Sequence, residues 1–356
     1  MVNHRINSFD NPLARDLDHI LAHTEALWKD LRGRSIFITG GTGFFGCWLL
    51  ESFCWANIHL NLNATALVLT RDPVAFKKKA PHLASNPAIR FHKGDVKNFT
   101  YPKGEFSYII HAAATSAIES YHKQDPLLKF DTTLEGTRRV LEFALNCRAQ
   151  KLLFTSSGAV YGSQPPYLQN IPESYTGAPQ PHEPLAAWGI AKRCAEFLCS
   201  YYANRYSLAI NVARCFTFVG PYLPLNIHYA VGNFIKDALS GGPIVINGDG
   251  NPYRSYMYAA DLAIWLWTIL FKADSFAIYN VGSENPVSIK TVAETVAQCF
   301  KPTLEVKVMG RPDPAKRNRY VPSTKLAQEK LKLRQMISFK DSIQRTIEYH
   351  SQQKRR

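Results

Sequence analysis

The chain has 356 residues, of which 46% are hydrophobic and 20% are charged, and its formal net charge is +14. These values predict a globular protein with a large core, built as one extended domain with a smaller lobe or as two domains. The positive charge raises the question of a nucleic-acid partner. Because the basic residues are dispersed and no nucleic-acid motif accompanies them, we expect no nucleic-acid partner.

The sequence also argues against a membrane-spanning segment, against secretion and against a metal site. No apolar run reaches the roughly 18 residues of a membrane span, and the N-terminus lacks the apolar segment of a signal peptide. Seven cysteines without a C-x-x-C pair indicate reduced thiols. We therefore expect a cytoplasmic protein with no metal.

Residues 1–33 are predicted to be an N-terminal helical extension. Apolar residues recur at helical spacing from Leu17 to Leu31, ahead of the first predicted strand. We expect this helix to pack onto the domain that follows it.

The segment from Ser35 to Gly46 reads S-I-F-I-T-G-G-T-G-F-F-G, and an apolar helix follows it. Its first residues form a short apolar run that is typical of a strand buried on both faces. Gly40, Gly43 and Gly46 then allow a tight turn, a close approach to a pyrophosphate and close packing of the helix on the strand. The helix N-terminus favours the phosphates of a bound ligand. The pattern therefore predicts a dinucleotide site.

Strand and helix alternate regularly through residues 34–220, which predicts an α/β fold with a Rossmann-type doubly wound parallel sheet. Residues 221–356 are richer in Gly, Pro and Asn and are predicted to form mainly a smaller C-terminal substrate-binding lobe, with room for segments that return to the sheet. The predicted strands after the first are Ala66–Leu69, Ile89–His92, Tyr108–His111, Lys151–Thr155 and Ala209–Ala213. The predicted helices include Thr132–Cys147, Ala186–Tyr206, Asp261–Phe271 and Ile289–Phe300.

Seven motifs follow one another along roughly residues 33–335. They are G-G-T-G-F-F-G, G-D-V, H-A-A-A, T-S-S-G-A-V-Y-G, R-C-F-T-F-V-G-P, N-G-D-G-N-P-Y-R-S-Y-M-Y-A-A-D-L and Y-N-V-G-S. In this order they resemble the motifs of the extended short-chain dehydrogenases/reductases, the family of nucleotide-sugar epimerases, dehydratases and reductases. The resemblance implies an NAD(P) cofactor, a nucleotide-diphosphate sugar substrate, and a homodimer formed by two long helices of each subunit. These helices would be Thr132–Cys147 and Ala186–Tyr206, with Phe143, Phe197 and Tyr201 as candidate apolar contacts. It places cofactor contacts at Gly40, Thr42, Gly43, Phe44, Phe45, Gly46, Arg71, Asp95, Val96, His111, Ala112, Ala113, Thr155, Lys192 and Phe216.

The choice between NAD and NADP depends on the end of the second strand. A carboxylate there binds the free 2′-hydroxyl of NAD, whereas an arginine pairs with the 2′-phosphate of NADP. Thr70 stands where an acid is common, and Arg71 follows it, which favours NADP slightly. Asp72 keeps NAD open, as does the alternative that Arg71 stacks on the adenine.

The resemblance assigns catalysis to a Ser or Thr together with a Tyr and a Lys spaced Y-x-x-x-K on one helix. Ser157 and Lys192 match two of these positions, but the tyrosine position holds Trp188. An indole N–H donates a hydrogen bond and cannot act as a base near neutral pH.

Three interpretations of Trp188 stay open. In the first, the tryptophan is natural and the chain is a weak enzyme or a binding protein. In the second, the tryptophan is natural and the acid/base function has moved to Tyr161, Glu173 or His182. In the third, the tryptophan was introduced into an otherwise active protein.

Two further positions narrow the reaction. Dehydratases of this family carry an acid pair directly after the Ser/Thr, and decarboxylases keep a glutamate at the second of these positions. This chain has Gly158 and Ala159 there. Epimerisation or keto-reduction is therefore favoured, in surface-polysaccharide or deoxysugar synthesis, over dehydration and decarboxylation. The residues that match substrate-binding positions are Ser116, Ser157, Thr217, Asn233, Arg254 and Arg311, the two arginines as clamps for the diphosphate.

Overall fold

The computed structural model describes residues 11–114, 125–227, 229–311 and 318–355. Its strands are β1 (Ser35–Thr39), β2 (Thr65–Thr70), β3 (Ile89–Lys93), β4 (Tyr108–His111), β5 (Lys151–Ser157), β6 (Ala209–Cys215), β7 (Phe218–Val219), β8 (Ile244–Ile246), β9 (Tyr253–Arg254), β10 (Met257–Tyr258), β11 (Ile278–Val281), β12 (Val287–Ser288), β13 (Val306–Val308) and β14 (Arg319–Tyr320).

The helices lie between these strands. They are α1 (Ala14–Thr24), α2 (Phe44–His59), α3 (Pro73–Lys79), α4 (Pro81–Ala84), α5 (Pro126–Asn146), α6 (Ala187–Tyr206), α7 (Ala230–Leu239), α8 (Ala259–Lys272), α9 (Ile289–Ala297), α10 (Lys325–Leu331) and α11 (Phe339–Arg355). None of the described helices is both long and apolar enough to cross a bilayer.

Seven of the strands form one parallel sheet in the order β11-β6-β5-β4-β1-β2-β3. The chain runs outward from β1 to β3 and then returns to place β4 on the other side of β1, so the strand order reverses between β1 and β4. Ligands of doubly wound sheets bind at the carboxyl ends of the strands at such a reversal. The predicted Rossmann-type α/β fold is confirmed.

Helices cover both faces of this sheet. On one face α8 packs against α1, α2 and β5, and it is buried on all sides because nearly every residue in it is apolar. On the other face α5 and α6 pack together over an aromatic cluster centred on Phe37 and Phe143. Phe143 is fully buried inside the single chain, so its predicted place in a subunit contact is wrong.

The N-terminal extension docks through polar contacts as well as apolar ones. The α1 helix is followed by a 3-10 helix over Glu25–Leu31, so the predicted single helix is divided in two. Tyr258 Oη donates to a carboxylate oxygen of Asp16 at 2.6 Å, and Arg345 of α11 pairs with the same carboxylate. The extension is therefore anchored to both β10 and α11.

The residues after β7 build small sheets next to the carboxyl ends of the large one. Strands β8 and β13 pair with each other, and β9 lies between β12 and β14. Strand β11 returns to the large sheet and pairs with β6. The added sheet of β9, β12 and β14 brings Tyr320 against the residue that follows β5.

Candidate active site

The glycine turn joins β1 to α2 and leaves no room for side chains at two positions. Gly40 has a φ of +72°, and a Cβ atom on it would lie 2.4 Å from the carbonyl oxygen of Ala112. A Cβ atom on Gly46 would lie 2.3 Å from the carbonyl oxygen of Gly40. Gly43, the N-cap of α2, has no side chain to bond the first N–H groups of the helix. These groups and the bare turn fit the pyrophosphate of a dinucleotide.

The end of β4 is fixed by a buried histidine. His111 Nδ1 lies 2.7 Å from Thr39 Oγ1, and His111 Nε2 lies 3.1 Å from Thr137 Oγ1. Thr137 gives its own proton to the carbonyl of Thr133, so His111 must donate from Nε2. Burial lowers the pKa of His111 to about 3, and the charge of Lys192 acts in the same direction. His111 is thus neutral and bonds Thr39, whose Oγ1 accepts from Ala113 N at 3.1 Å, next to the Ala112 carbonyl that faces the glycine turn.

The end of β2 carries the residues expected to select the cofactor. The side chain of Asp72 caps α3 by accepting from Ala75 N at 2.9 Å. Arg71 is exposed beside it. The Asp95 side chain, after β3, accepts from Lys97 N at 2.9 Å, and Val96 packs on Gly136 of α5. One oxygen of the Asp72 carboxylate that kept NAD open therefore caps a helix.

Lys192 and Trp188 lie one turn apart on α6. Lys192 is buried, its Nζ donates to the carbonyl of Thr155 at 2.7 Å, and it stands 5.0 Å from the ring centroid of Trp188. Burial lowers the pKa of Lys192 to about 8. Ser157 ends β5, and its Oγ accepts from Ala159 N at 3.1 Å. The structure thus brings together a serine, an indole and a lysine at the carboxyl end of β5.

The three residues considered as relocated acid/base groups lie in other surroundings. Tyr161 is buried and its hydroxyl accepts from Arg214 Nη1 and donates to Asn280 Oδ1, each at 2.8 Å. Burial raises its pKa to about 12. A carboxylate oxygen of Glu173 accepts from Asn280 N at 2.8 Å, and His182 is exposed in the loop before α6. Tyr161 and Glu173 are therefore bonded to framework residues.

Four of the other proposed substrate residues follow β6 in the chain. Arg254 lies on β9, where its Nη1 donates to the Tyr253 carbonyl at 2.8 Å, and burial lowers its pKa. Thr217 follows β6, and its carbonyl accepts from Met257 N at 3.1 Å. Asn233 is half-buried on α7, while Arg311 is exposed at the end of a described range. Ser116 lies outside the described residues.

Two residues near the site escaped the sequence analysis. Lys79, at the end of α3, donates to the carbonyl of Thr42 in the glycine turn at 2.8 Å. Tyr320 packs its ring on Phe216 with centroids 4.6 Å apart, and its hydroxyl lies against Ser157 and Gly158. The run of three lysines at 77–79 is a signal that could have pointed to Lys79, whereas nothing local marks Tyr320.

No cluster of His, Cys, Asp and Glu in the described ranges could hold a metal ion. The donors at the carboxyl ends of the sheet are instead backbone N–H groups, hydroxyls and cations. This set of donors fits an anionic dinucleotide. Gly40 and Gly46 have no room for a side chain, so only backbone groups of the turn would meet a pyrophosphate.

Residues 36–282 match the NAD dependent epimerase/dehydratase family. The chain belongs to this family, as the order of its motifs predicts. Two of its relatives, a UDP-glucuronic acid decarboxylase and a UDP-glucuronate 4-epimerase, are named as enzymes that act on nucleotide sugars.

Individual relatives agree on the fold and differ in reaction. UDP-glucuronic acid decarboxylase 1 of Arabidopsis thaliana is 28% identical over 314 residues, which cover 88% of this chain and 68% of the relative. UDP-glucuronate 4-epimerase of Thermodesulfobacterium geofontis is 28% identical over 264 residues, 72% of this chain and 78% of the relative. The fold of a Bacillus cereus UDP-glucuronic acid 4-epimerase variant, solved with a fluorinated UDP-sugar and NAD, is similar, with a TM-score of 0.74, 22% identity and coverage of 90% and 99%.

Proposed function

We propose that the chain is an NAD(P)-dependent epimerase or keto-reductase that acts on the sugar ring of a nucleotide-diphosphate sugar. The observation that carries this proposal is the position of Ser157, Trp188 and Lys192 at the carboxyl end of β5, two strands away in the same sheet from the strand that leads into the glycine turn. Family members with related reactions support it.

The residues present account for binding of both ligands. The glycine turn and the N-terminus of α2 would hold the pyrophosphate, Asp95 the adenine and Lys192 the nicotinamide ribose. Arg254 and Arg311 would clamp the diphosphate of the sugar nucleotide. When bound, the dinucleotide supplies hydride transfer. Ser157 Oγ would donate its proton in a hydrogen bond to the reacting sugar oxygen.

A second candidate is a protein that binds the dinucleotide and the sugar nucleotide with little turnover. Trp188 favours it, since an indole has no proton to exchange near neutral pH and Tyr161 and Glu173 are bonded elsewhere. The two candidates share every binding residue and differ only in the rate of the chemical step.

Decarboxylation has support from the relatives but less from the site. Several decarboxylases are similar to this chain at 26–28% identity. The resemblance assigns that reaction a glutamate at the position of Ala159, whose methyl group can neither bind nor release a proton. We therefore keep epimerisation and keto-reduction as the proposed reactions.

The cofactor proposal is NAD or NADP, with NADP slightly favoured by Arg71. Asp72 caps α3, so its carboxylate is less available to a ribose hydroxyl. We expect Arg71→Ala to weaken NADP(H) binding by about tenfold or more, the value of one charge-assisted contact, and NAD(H) binding much less. Calorimetry with both nucleotides measures this. Equal losses would show that Arg71 stacks on the adenine.

Turnover tests the reaction. The protein is incubated with NAD or NADP and a panel of UDP- and dTDP-sugars that includes UDP-glucuronate, and the products are read by NMR. A C4 epimer or a reduced keto sugar supports the proposal. Carbon dioxide with a pentose product would show decarboxylation, and binding without any product would favour the second candidate.

We also propose a biosynthetic role and a cellular location for the protein. A place in surface-polysaccharide or deoxysugar synthesis follows from the expected reaction. The seven cysteines form no disulfide in the structure, which suits the expected cytoplasmic location.

A further inference from the structure

A buried carboxyl group lies on α2, the helix whose N-terminus would face the dinucleotide. Glu51 is 3% exposed and lies about two turns past Gly43. Its Oε1 accepts from the hydroxyl of Tyr222, and His82 Nε2 lies 2.7 Å from the same oxygen. A buried acid needs partners of this kind, because an unpaired carboxylate is costly to hold away from water. Glu51 therefore joins α2 to two other parts of the chain.

One of these parts is the start of the added lobe. Tyr222 follows β7, and its ring lies against Tyr349 of α11 with centroids 5.5 Å apart. The carbonyl of the preceding Pro221 accepts from Trp48 Nε1 of α2 at 2.9 Å. Burial raises the pKa of Tyr222, and the charge of Glu51 acts in the same direction. This side of the contact is therefore held by two donors that stay neutral near pH 7.

The other part is the α3–α4 segment, residues 73–84, which contains His82. A second basic residue of this segment, Lys79, donates to the Thr42 carbonyl of the glycine turn at 2.8 Å. The α3–α4 segment thus contacts the cofactor-binding region at two points, through Lys79 at the turn and through His82 at Glu51. Because Arg71 stands just before the segment, its seating on α2 also bears on the residue expected to select the cofactor.

His82 is the member of this group of side chains that changes charge near neutral pH. Histidine is the side chain whose ordinary pKa falls between pH 5 and 8. Burial lowers the pKa of His82, while the bond to Glu51 and the charge of Glu51 raise it, and the net pKa lies above the ordinary 6.5. Helix α3 and strand β3 also pack on α4, and the charged group that acts on His82 is Glu51.

The remaining titratable groups around Glu51 do not provide such a change. They are Tyr222, Tyr349, Lys79, Cys47 and Cys54. Burial raises the pKa of Cys47 to about 11 and that of Cys54 further, so both thiols keep their protons near pH 7.

We propose that His82 is a positioning residue whose protonated imidazole holds the α3–α4 segment on α2 through Glu51, and that this hold weakens as the imidazole loses its proton. For its effect on cofactor binding this inference rests on the proposed function. A dinucleotide would bind more weakly at alkaline pH, because the α3–α4 segment and the glycine turn must then be ordered when it binds.

The sign of the pH effect follows from the upward shift of the His82 pKa. A group whose pKa is higher in the folded protein than in the unfolded chain stabilises the fold at low pH. The contribution of His82 is therefore complete below pH 6.5 and is lost as the pH rises through the higher folded value.

Imidazole NMR tests the His82–Glu51 contact without any ligand. With histidine labelled at ¹³Cε1, the His82 resonance is assigned by its absence in His82→Gln, and its titration should give a pKa above 6.5. Glu51→Gln removes the charge and leaves the burial, so the pKa of His82 should fall below 6.5 in that variant. His59, which contacts the Trp55 carbonyl near the end of α2, is the control and should titrate unchanged. A His82 pKa that is the same with and without Glu51 would overturn the inference.

Amide exchange tests the hold on the α3–α4 segment and needs only the half-exposed His82 to be replaced. The Ala80 and Ala84 amides donate to the Phe76 and Ala80 carbonyls at 2.8 and 3.0 Å. At pH 6 these amides should exchange about two- to fivefold faster in His82→Gln than in the wild type, the range for a part-exposed ion pair. The ratio should approach one two pH units above the measured His82 pKa. His59→Gln, the control, should give a ratio of one throughout, and a ratio for His82→Gln that does not change with pH would overturn the inference.

Calorimetry with the preferred nucleotide at pH 6 and pH 8.5 measures the consequence for the cofactor. Between these values the wild-type affinity should fall about two- to fivefold more than that of His82→Gln, which keeps the pH dependence contributed by Lys192. The same pH dependence in both proteins would overturn the part of the inference that concerns the cofactor. Absence of dinucleotide binding at both pH values, with the NMR and exchange results as expected, would instead overturn the proposed function alone.

Discussion

Position 188 holds an indole where the resemblance places a catalytic tyrosine. Its ring lies 5.0 Å from Lys192 Nζ, as a partner of that lysine should. Trp188→Tyr restores a phenol whose pKa the lysine charge can lower. General acid–base catalysis contributes about a hundred- to ten-thousandfold, so we expect turnover to rise by that range. Steady-state assays on the substrate found in the panel measure it.

The matched control for this change is Trp188→Phe, which alters the size of the ring in the same way without adding a hydroxyl. We expect no gain in kcat from it. Equal gains from both variants would mean that the indole only obstructs the sugar.

Lys192 gives the site a pH dependence that can be measured as stability. Its pKa falls from 10.5 to about 8 on folding because the side chain is buried. Below pH 8 the folded state must therefore hold a buried charge, which lowers the free energy of unfolding. This loss of stability diminishes as the pH rises from 8 towards 10.5. Between pH 7.5 and 9.5 the free energy of unfolding should rise in the wild type relative to Lys192→Met by about 2 kcal/mol.

Denaturant unfolding of both proteins across this pH range measures the difference. The comparison removes the contributions of groups that both proteins share, such as the buried cysteines. A difference that is flat with pH would show that Lys192 keeps an ordinary pKa in the folded protein.

Residues near one another in sequence were the easiest to predict. Gly40 and Gly46 follow from a spacing that any strand-turn-helix of this type needs, and the structure shows why each is a glycine. Tyr320 could not be predicted in the same way. Its place depends on the pairing of β14 with β9 and on the space at Gly158. Neither can be predicted from the residues next to Tyr320 in the sequence.

Among the elements, the turn between β1 and α2 is the one on which we expect cofactor binding to depend. Gly46→Ala would place a methyl group 2.3 Å from the Gly40 carbonyl oxygen, so the turn must open. We expect dinucleotide affinity to fall at least tenfold, because the N–H groups at the start of α2 would no longer face the pyrophosphate together. Calorimetry with the preferred nucleotide measures the loss.

Gly248→Ala is the control for this element, since a Cβ atom there meets nothing within 4 Å. Its dinucleotide affinity should equal that of the wild type. Retention of full affinity by folded Gly46→Ala would mean that the cofactor binds elsewhere.

Predictions of whole elements succeeded where the hydrophobic pattern was long and regular. Helix α6 begins one residue after its predicted start and ends where predicted, and β4 has its predicted bounds. The N-terminal segment was harder, because the apolar spacing of a helix continues through Glu25–Leu31 while the backbone tightens into a 3-10 helix. The prediction of a subunit contact at Phe143 was wrong for a related reason, because helical spacing does not tell which of two apolar faces of a helix meets the sheet.

For the whole molecule, the homodimer stays a prediction, and two of its candidate contact residues are exposed on α6. Phe197 and Tyr201 lie one turn apart on α6 and are 68% and 50% exposed, which is unusual for large apolar side chains on one face. We expect Phe197→Glu to convert a dimer into a monomer at micromolar concentration, because the charge would be desolvated at the contact. Light scattering measures the mass.

Tyr167→Glu is the control, since Tyr167 is 78% exposed in a loop away from α6. It should leave the mass unchanged. A wild-type monomer at the same concentration would contradict the predicted homodimer.

The topology of the large sheet follows from alternation of strand and helix as far as β6. The seventh strand, β11, does not, since it comes after an irregular stretch and a long buried helix. Its four residues show no hydrophobic periodicity that would predict a strand. Pairing with β6 places them in the sheet. Contacts between distant segments thus decide the parts that local patterns leave open.

The bond between Asp16 and Arg345 joins residues 329 positions apart. A ribosome makes the chain from its N-terminus, so α1 emerges long before Arg345 exists. Until then the Asp16 carboxylate lacks its cation, and the apolar face of α1, with Leu17 and Ile20, also waits for α8. Seating of the first helix therefore needs residues more than 230 positions further along the chain, and a nascent chain that stalls before α8 begins at Ala259 should leave that helix open to proteases and chaperones.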